Sequence, residues 1–119
     1  MISCSKHHID QEDINAVIKV LKSDNLTQGS LIAVFEKEIS KYVGAKYSVV
    51  LTSCTAGLHL ASIVSKINKG KVLLTSPITF VATANSSLFC GGETIFADID
   101  SSTINISIDS INEVISKNK

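Results

Sequence analysis

The segment Ser53-Cys54-Thr55-Ala56-Gly57-Leu58-His59 follows a strand-like run, Tyr47-Ser48-Val49-Val50-Leu51. A second such run, Lys71-Val72-Leu73-Leu74-Thr75, leads into Ser76-Pro77-Ile78-Thr79-Phe80-Val81-Ala82-Thr83-Ala84-Asn85. These two strand-to-helix junctions decide the reading. The first sets small and hydroxyl residues where a helix begins, so that free backbone N–H groups and the helix dipole can face an anion. The second sets an aromatic residue, Phe80, beyond the end of a neighbouring strand. A phosphate cradle beside an aromatic platform suits a phosphorylated aromatic ligand. Each junction also has a plainer reading. Ser53 or Thr55 can be a simple N-cap, and Phe80 can be a core residue.

Outward from these junctions the chain alternates. On the N-terminal side, Asp10 is a good N-cap with Glu12 and Asp13 in the first turn. Ile14, Val17, Ile18 and Leu21 then share a helical face, with Lys19 and Lys22 near its end. A polar loop, Ser23 to Ser30, precedes a second helix with Leu31, Val34, Phe35, Ile39, Tyr42 and Val43 inward and Gly44 as its C-cap. A strand is predicted at 47–51 and a helix from about Thr55 to Lys66. Beyond Gly70 the pattern predicts a strand at 71–75 and a helix from about Phe80 to Cys90. A Gly91-Gly92 turn, a strand at 94–97 and a short extended piece at 104–106 follow. Ser107 then caps a last helix carrying Ile111, Val114 and Ile115. Strands alternating with helices imply an α/β fold, with βαβ units, a parallel sheet and right-handed crossovers. The 119 residues read as part of one domain.

Composition narrows the function classes. Eleven basic and eleven acidic residues cancel, which removes the electrostatic case for nucleic acid or an anionic membrane. A hydrophobic fraction of 45% with only 5% aromatics suits a piece whose surface is partly meant for other protein. Cys4, Cys54 and Cys90 form no C-x-x-C pair and are odd in number; with no apolar h-region at the N-terminus they read as reduced cytoplasmic thiols. No dinucleotide or P-loop glycine motif is present, and His7, His8 and His59 lack metal-ligand spacing. Asp98 and Asp100 suit either acid/base work or turn formation. The loop Ser23 to Gly29 suits either a connector or a holder of a sugar or its nucleotide. Cys54, at a helix N-terminus, suits either an activated thiol or an inert one.

Five segments carry a more specific likeness. They are Leu26-Thr27-Gln28-Gly29, Phe35-Glu36 with Tyr42-Val43-Gly44-Ala45-Lys46-Tyr47, Ser53 to His59, Ser76 to Asn85, and Phe96 to Asp100 with Thr103 to Ile106. In order and spacing, along nearly the entire chain, they resemble the DegT/DnrJ/EryC1/StrS family of pyridoxal-phosphate sugar aminotransferases. The resemblance implies the aspartate-aminotransferase (fold type I) architecture. Residues 1–119 would form the N-terminal part of its three-layer α/β/α large domain, with an incomplete sheet and no second domain. It further implies transfer of an amino group from glutamate to a nucleotide-linked 4-keto-6-deoxy sugar through pyridoxal 5'-phosphate, by an enzyme that is a homodimer when complete. Likeness is greatest to members serving pseudaminic acid synthesis, a cell-surface glycan pathway.

By the same resemblance, Cys54, Thr55 and Ala56 hold the cofactor phosphate and Phe80 stacks on the pyridine ring. Cys4, Asp24, Asn25, Leu26 and Thr27 lie on the substrate side. The family's Schiff-base lysine, and the aspartate that pairs with the pyridine nitrogen, are expected beyond Lys119, so no catalytic residue is assigned and the chain is expected to be inactive alone. Lys117 and Lys119 lie in the wrong context to substitute. A non-catalytic module that binds a ligand or a full-length subunit is the second reading. In the family's sheet the first strand pairs with the last and the second with the third, which predicts a partnerless strand at 47–51. The chain departs from the family pattern at Cys4 (usually aromatic), Cys54 (usually glycine or alanine), Gly57 (usually alanine, at about 1 kcal/mol for a helical glycine), Lys71 (usually acidic) and Gly92-Glu93 (usually alanine and threonine).

Overall fold

The computed structural model describes residues 5–118, so Cys4 lies outside the described residues. The chain forms two compact units that divide between Val50 and Leu51.

The first unit holds two helices, α1 (Gln11–Leu21) and α2 (Leu31–Val43). α1 starts where the sequence places it, through a reciprocal capping box. The Asp10 carboxylate accepts the Glu12 and Asp13 N–H groups at 2.8 and 3.1 Å, and the Asp13 carboxylate accepts the Asp10 N–H at 3.1 Å. α2 ends at Gly44, whose φ of 69° is the left-handed conformation that stops a helix.

Two expectations fail in this unit. The apolar face of α2 (Leu31, Val34, Phe35, Ile39, Tyr42, Val43), expected inward, is exposed, and so is that of α1 (Ile14, Val17, Ile18, Leu21). Periodicity says which face of a helix is apolar; it does not say that the same stretch of chain supplies the cover. Residues 47–51 form no strand. A strand exists only with a hydrogen-bonded neighbour, and among the described residues 47–51 has none. Instead the Val50 N–H donates to Glu36 Oε1 at 3.0 Å, and the Ser48 hydroxyl donates to the Glu36 carbonyl.

The second unit is the α/β part. It contains α3 (Cys54–Val64), β1 (Val72–Thr75), α4 (Val81–Leu88), β2 (Glu93–Phe96) and α5 (Ile108–Lys117). β1 and β2 are parallel, in a register that sets Val72 beside Glu93 and Thr75 beside Phe96. The bonds from Glu93 N–H to the Lys71 carbonyl (2.9 Å) and from Ala97 N–H to the Thr75 carbonyl (3.0 Å) extend the ladder at both ends. This is the parallel βαβ unit that the alternation predicts, with α4 as the crossover. α3 starts one residue earlier than expected and stops short of Lys66, which adopts a φ of 58°. α5 is capped by the Ser107 hydroxyl, which accepts the Ser110 N–H at 3.3 Å. Its Val114 and Ile115 share an apolar cavity of about 320 Å³ with Val72, Leu74 and Ile95 of the strands.

Small residues fill the tightest part of this unit. Ser62, Ala82, Ser86, Ser87, Gly92 and Ala97 are buried, and Ser87 and Ala97 are fully so. Their hydroxyls are satisfied locally: Ser87 donates to the Glu93 carbonyl and Ser86 to the Thr83 carbonyl, each at 2.8 Å. Thr94 does likewise to the Ala84 carbonyl at 2.8 Å, tying β2 to α4. Between α4 and β2, Gly91 makes the turn with a φ of 76°. Gly92 has a different reason to be glycine. A Cβ there would stand 2.6 Å from Ile67 Cγ2, 2.7 Å from Ser87 Oγ and 3.0 Å from the Lys71 carbonyl. Its departure from the family's alanine therefore matches a close approach of backbone to neighbours.

Candidate functional site

The site is built at the start of α3. Ser53 is extended (φ −163°, ψ 160°), and its hydroxyl accepts the Ala56 N–H at 3.1 Å. The first intrahelical bond runs from the Gly57 N–H to the Ser53 carbonyl at 3.2 Å. The N–H groups of Cys54 and Thr55 come before that bond, as the orphan donors of a helix start do. Both residues are exposed, while Ala56 is half-buried. Ser53 thus acts as the N-cap, yet capping consumes only the Ala56 donor. The helix dipole adds partial positive charge at the same point. Of the three residues expected to face a phosphate, Cys54 and Thr55 present N–H groups, and Thr55 adds a hydroxyl. Ala56 contributes its small side chain, its N–H being engaged. A Cβ at Gly57 would stand 3.5 Å from Leu51 Cδ1, an ordinary contact, so space does not require glycine in the first turn of the helix.

Phe80 is the N-cap residue of α4, in extended conformation (φ −69°, ψ 140°). Its side chain is 76% exposed, so the plain reading as a core residue fails. The approach to it is ordered by short side-chain bonds. Ser76 Oγ accepts the Ile78 N–H at 3.1 Å, and the Thr79 and Thr83 hydroxyls pair at 3.0 Å. α3 packs on α4, and His59 of α3 meets Phe89 edge to face at 5.4 Å. His59 is therefore a packing residue, as its place in a helix suggests.

The loop residues lie in the first unit. Asp24, Asn25 and Leu26 line an open cavity of about 630 Å³ together with Lys19, Gln28 and Gly29. Thr27 is exposed in the same loop but does not line the cavity. Gln28 takes a left-handed φ of 55°, and a Cβ at Gly29 would approach the Asn25 carbonyl to 3.2 Å, so the loop turns tightly. Lys19 was not singled out by sequence reading. Its only signal there is its place in the last turn of α1, which brings a cation beside the polar loop.

Asp100 is a turn residue. Its Oδ1 accepts from the Ser102 hydroxyl and N–H and from the Thr103 N–H and hydroxyl. The Ser102 hydroxyl is the largest of the influences that hold this carboxyl below its ordinary range, followed by the Thr103 N–H. Asp98 closes a shorter loop by accepting the Ile99 N–H at 2.7 Å. Among the described residues no cluster of histidine, cysteine and acidic side chains could hold a metal ion, and no helix is long and apolar enough to cross a membrane.

Set beside known proteins, the chain belongs to the DegT/DnrJ/EryC1/StrS aminotransferase family, whose model matches residues 7–119. It is similar to the UDP-4-amino-4,6-dideoxy-N-acetyl-beta-L-altrosamine transaminase of Campylobacter jejuni (serotype O:23/36, strain 81-176). The two are 46% identical over 99 residues, which cover 83% of this chain and 26% of that protein. Among solved structures it is similar to Helicobacter pylori PseC, an aminotransferase involved in the biosynthesis of pseudoaminic acid. The TM-score is 0.84 at 34% identity, over 94% of this chain and 30% of the other. Spr1654 of Streptococcus pneumoniae in its PLP form superposes with a TM-score of 0.85 at 25% identity, over 94% of this chain and 29% of the other. The chain spans about a quarter of the length of the curated relatives it matches. The parallel two-stranded sheet is thus an incomplete portion of the fold type I-like α/β sheet.

Proposed function

We propose that the chain is the N-terminal part of the cofactor-binding large domain of a pyridoxal-phosphate sugar aminotransferase. The complete enzyme, a homodimer in this reading, moves an amino group from glutamate to a nucleotide-linked 4-keto-6-deoxy sugar. The observation that carries the reading is the start of α3, where the Ser53 cap takes one donor and leaves the Cys54 and Thr55 N–H groups exposed. The donor set fits a phosphate: two backbone N–H groups, a hydroxyl and the positive end of a helix. The bound cofactor supplies the electron sink for the amino-group chemistry. Cys54 and Thr55 hold its phosphate, Ser53 keeps the turn in shape, and the exposed ring of Phe80 offers a stacking face. The Cys54 thiol, where the family has a smaller residue, narrows the approach.

The loop Asp24 to Thr27 serves the nucleotide-sugar side, with Lys19 placed to balance the diphosphate charge. Cys4 belongs to the same side by family likeness. The pseudaminic acid pathway is the narrower reading, supported by the Campylobacter jejuni and Helicobacter pylori relatives.

Cofactor titration by absorbance on the full-length protein tests the assignment. Thr55→Asp puts a like charge beside the phosphate and removes the hydroxyl, each such bond being worth about 1.5–3 kcal/mol, so affinity should fall more than about tenfold. Phe80→Ala removes stacking area, leaves no charge unpaired, and should weaken binding less. If Thr55→Asp binds like the parent with an unchanged melting temperature, residues 53–56 are only a helix cap. Turnover of a UDP-linked 4-keto-6-deoxy sugar with glutamate tests the substrate.

A further inference from the structure

The ring of Phe80 is exposed, yet the backbone that carries it is held on both sides by Thr83. The Thr83 hydroxyl pairs at 3.0 Å with that of Thr79, the residue before Phe80. The Thr83 N–H donates to the carbonyl of Phe80 itself, also at 3.0 Å. Thr83 is in turn tied into the packed part of α4. Its carbonyl accepts the hydroxyl of Ser86 at 2.8 Å, and Ser86 is buried. The start of α4 has no ordinary side-chain cap, because Phe80 stands at the N-cap with no polar group to offer. The pair of threonine hydroxyls spans that first turn instead. All of these residues belong to the second unit.

We propose that Thr83 is a positioning residue for the aromatic platform, acting through Thr79 and the backbone of Phe80; the proposal rests on the reading of Phe80 as the stacking face for the pyridine ring. The physical route is a population effect. A ring on an exposed N-cap residue samples several placements unless its backbone is pinned. A ligand that needs one of them binds with an affinity reduced by the fraction of time spent there. The threonine tie raises that fraction by fixing the peptide units before and after the ring.

The test compares Thr83→Val, Thr83→Ser and Thr79→Val with the parent in the full-length protein, with Phe80→Ala as reference. Pyridoxal phosphate is titrated by absorbance, inorganic phosphate is titrated as its competitor, and melting temperature is recorded. Loss of one neutral hydrogen bond predicts about a two- to tenfold rise in Kd for pyridoxal phosphate in Thr83→Val and in Thr79→Val. Inorganic phosphate has no ring to stack, so its affinity should stay at the parent level. Thr83→Ser keeps the hydroxyl and should restore most of the cofactor affinity. In a Phe80→Ala background, Thr83→Val should weaken binding no further, since the ring it positions is gone. If Thr83→Val does not fold, Thr79→Val, at an exposed position, decides. Parent-like cofactor affinity in the folded valine variants overturns the positioning role and leaves the stacking reading intact. So does an equal loss of affinity for inorganic phosphate, or a full effect of Thr83→Val in the Phe80→Ala background. Parent-like binding by Phe80→Ala overturns the stacking reading, and with it the role of Thr83.

Discussion

At the scale of single residues, two positions carry more than their side chains suggest. Gly92 is held by space. With Ile67 Cγ2, Ser87 Oγ and the Lys71 carbonyl all within 3.0 Å of an added Cβ, alanine must displace a methyl group, a bonded hydroxyl and backbone. Overpacking of this kind costs roughly 1–3 kcal/mol. Gly92→Ala should therefore destabilise the chain by that amount and lower its thermal midpoint, and a parent-like melt would show that the neighbours yield freely. Asp100 is held by charge. Four donors from Ser102 and Thr103 favour its ionised form, so its folded pKa lies below the ordinary value of 3.8. The stability it contributes is present above the unfolded-chain pKa and is lost as pH falls through the folded one. Asp100→Asn should lower stability at neutral pH, where that contribution is fully present, and flatten the acid limb between those two values, so that variant and parent converge as pH falls, read from melting temperature against pH.

At the scale of elements, the helix boundaries follow from bonds that span three or four residues, which is why they could be read in advance. Asp10, Gly44 and Ser107 each act as expected. α1 has 11 residues and an exposed apolar face, so its stability leans on its own ends more than on packing. Asp10→Ala removes the carboxylate that accepts two N–H groups, and should cost about 1 kcal/mol of helix stability. Circular dichroism under mild denaturation would measure it, and unchanged helicity would show that contacts, not the cap, hold α1. Residues 47–51 behave differently. Their alternation is strand-like, but strand formation depends on a partner distant in sequence, and a carboxylate on α2 takes the Val50 N–H instead.

At the scale of the whole molecule, the largest feature is uncovered apolar surface. Tyr42 is 89% exposed, Val64 is 80% exposed, and both apolar helix faces of the first unit are open. Among the described residues the sheet has two strands, each with one unpaired edge. Contiguous apolar area and open edges drive association. The 119-residue chain should sediment as self-associated material. Co-expression with the C-terminal portion of the Campylobacter jejuni relative should give a smaller, discrete species with a sharper melt. A monodisperse monomer with a cooperative melt, unaffected by that portion, would show that the exposed faces need no cover.

The sequence by itself determined the local vocabulary: the caps, the helix-breaking glycines, the parallel βαβ unit and the small-residue junction at Ser53 to Ala56. These depend on interactions a few residues long, on alternation with period two, or on a family motif dense enough to read directly. Only the tertiary structure decided that residues 47–51, expected to lack a partner, form no strand, that Phe80 is exposed, that Lys19 joins the loop cavity, and that Gly92 has no room for a methyl group. Each of those outcomes turns on what stands next to a residue in space. Hydrophobic patterning names the surface that seeks burial, and only packing shows whether anything reaches it.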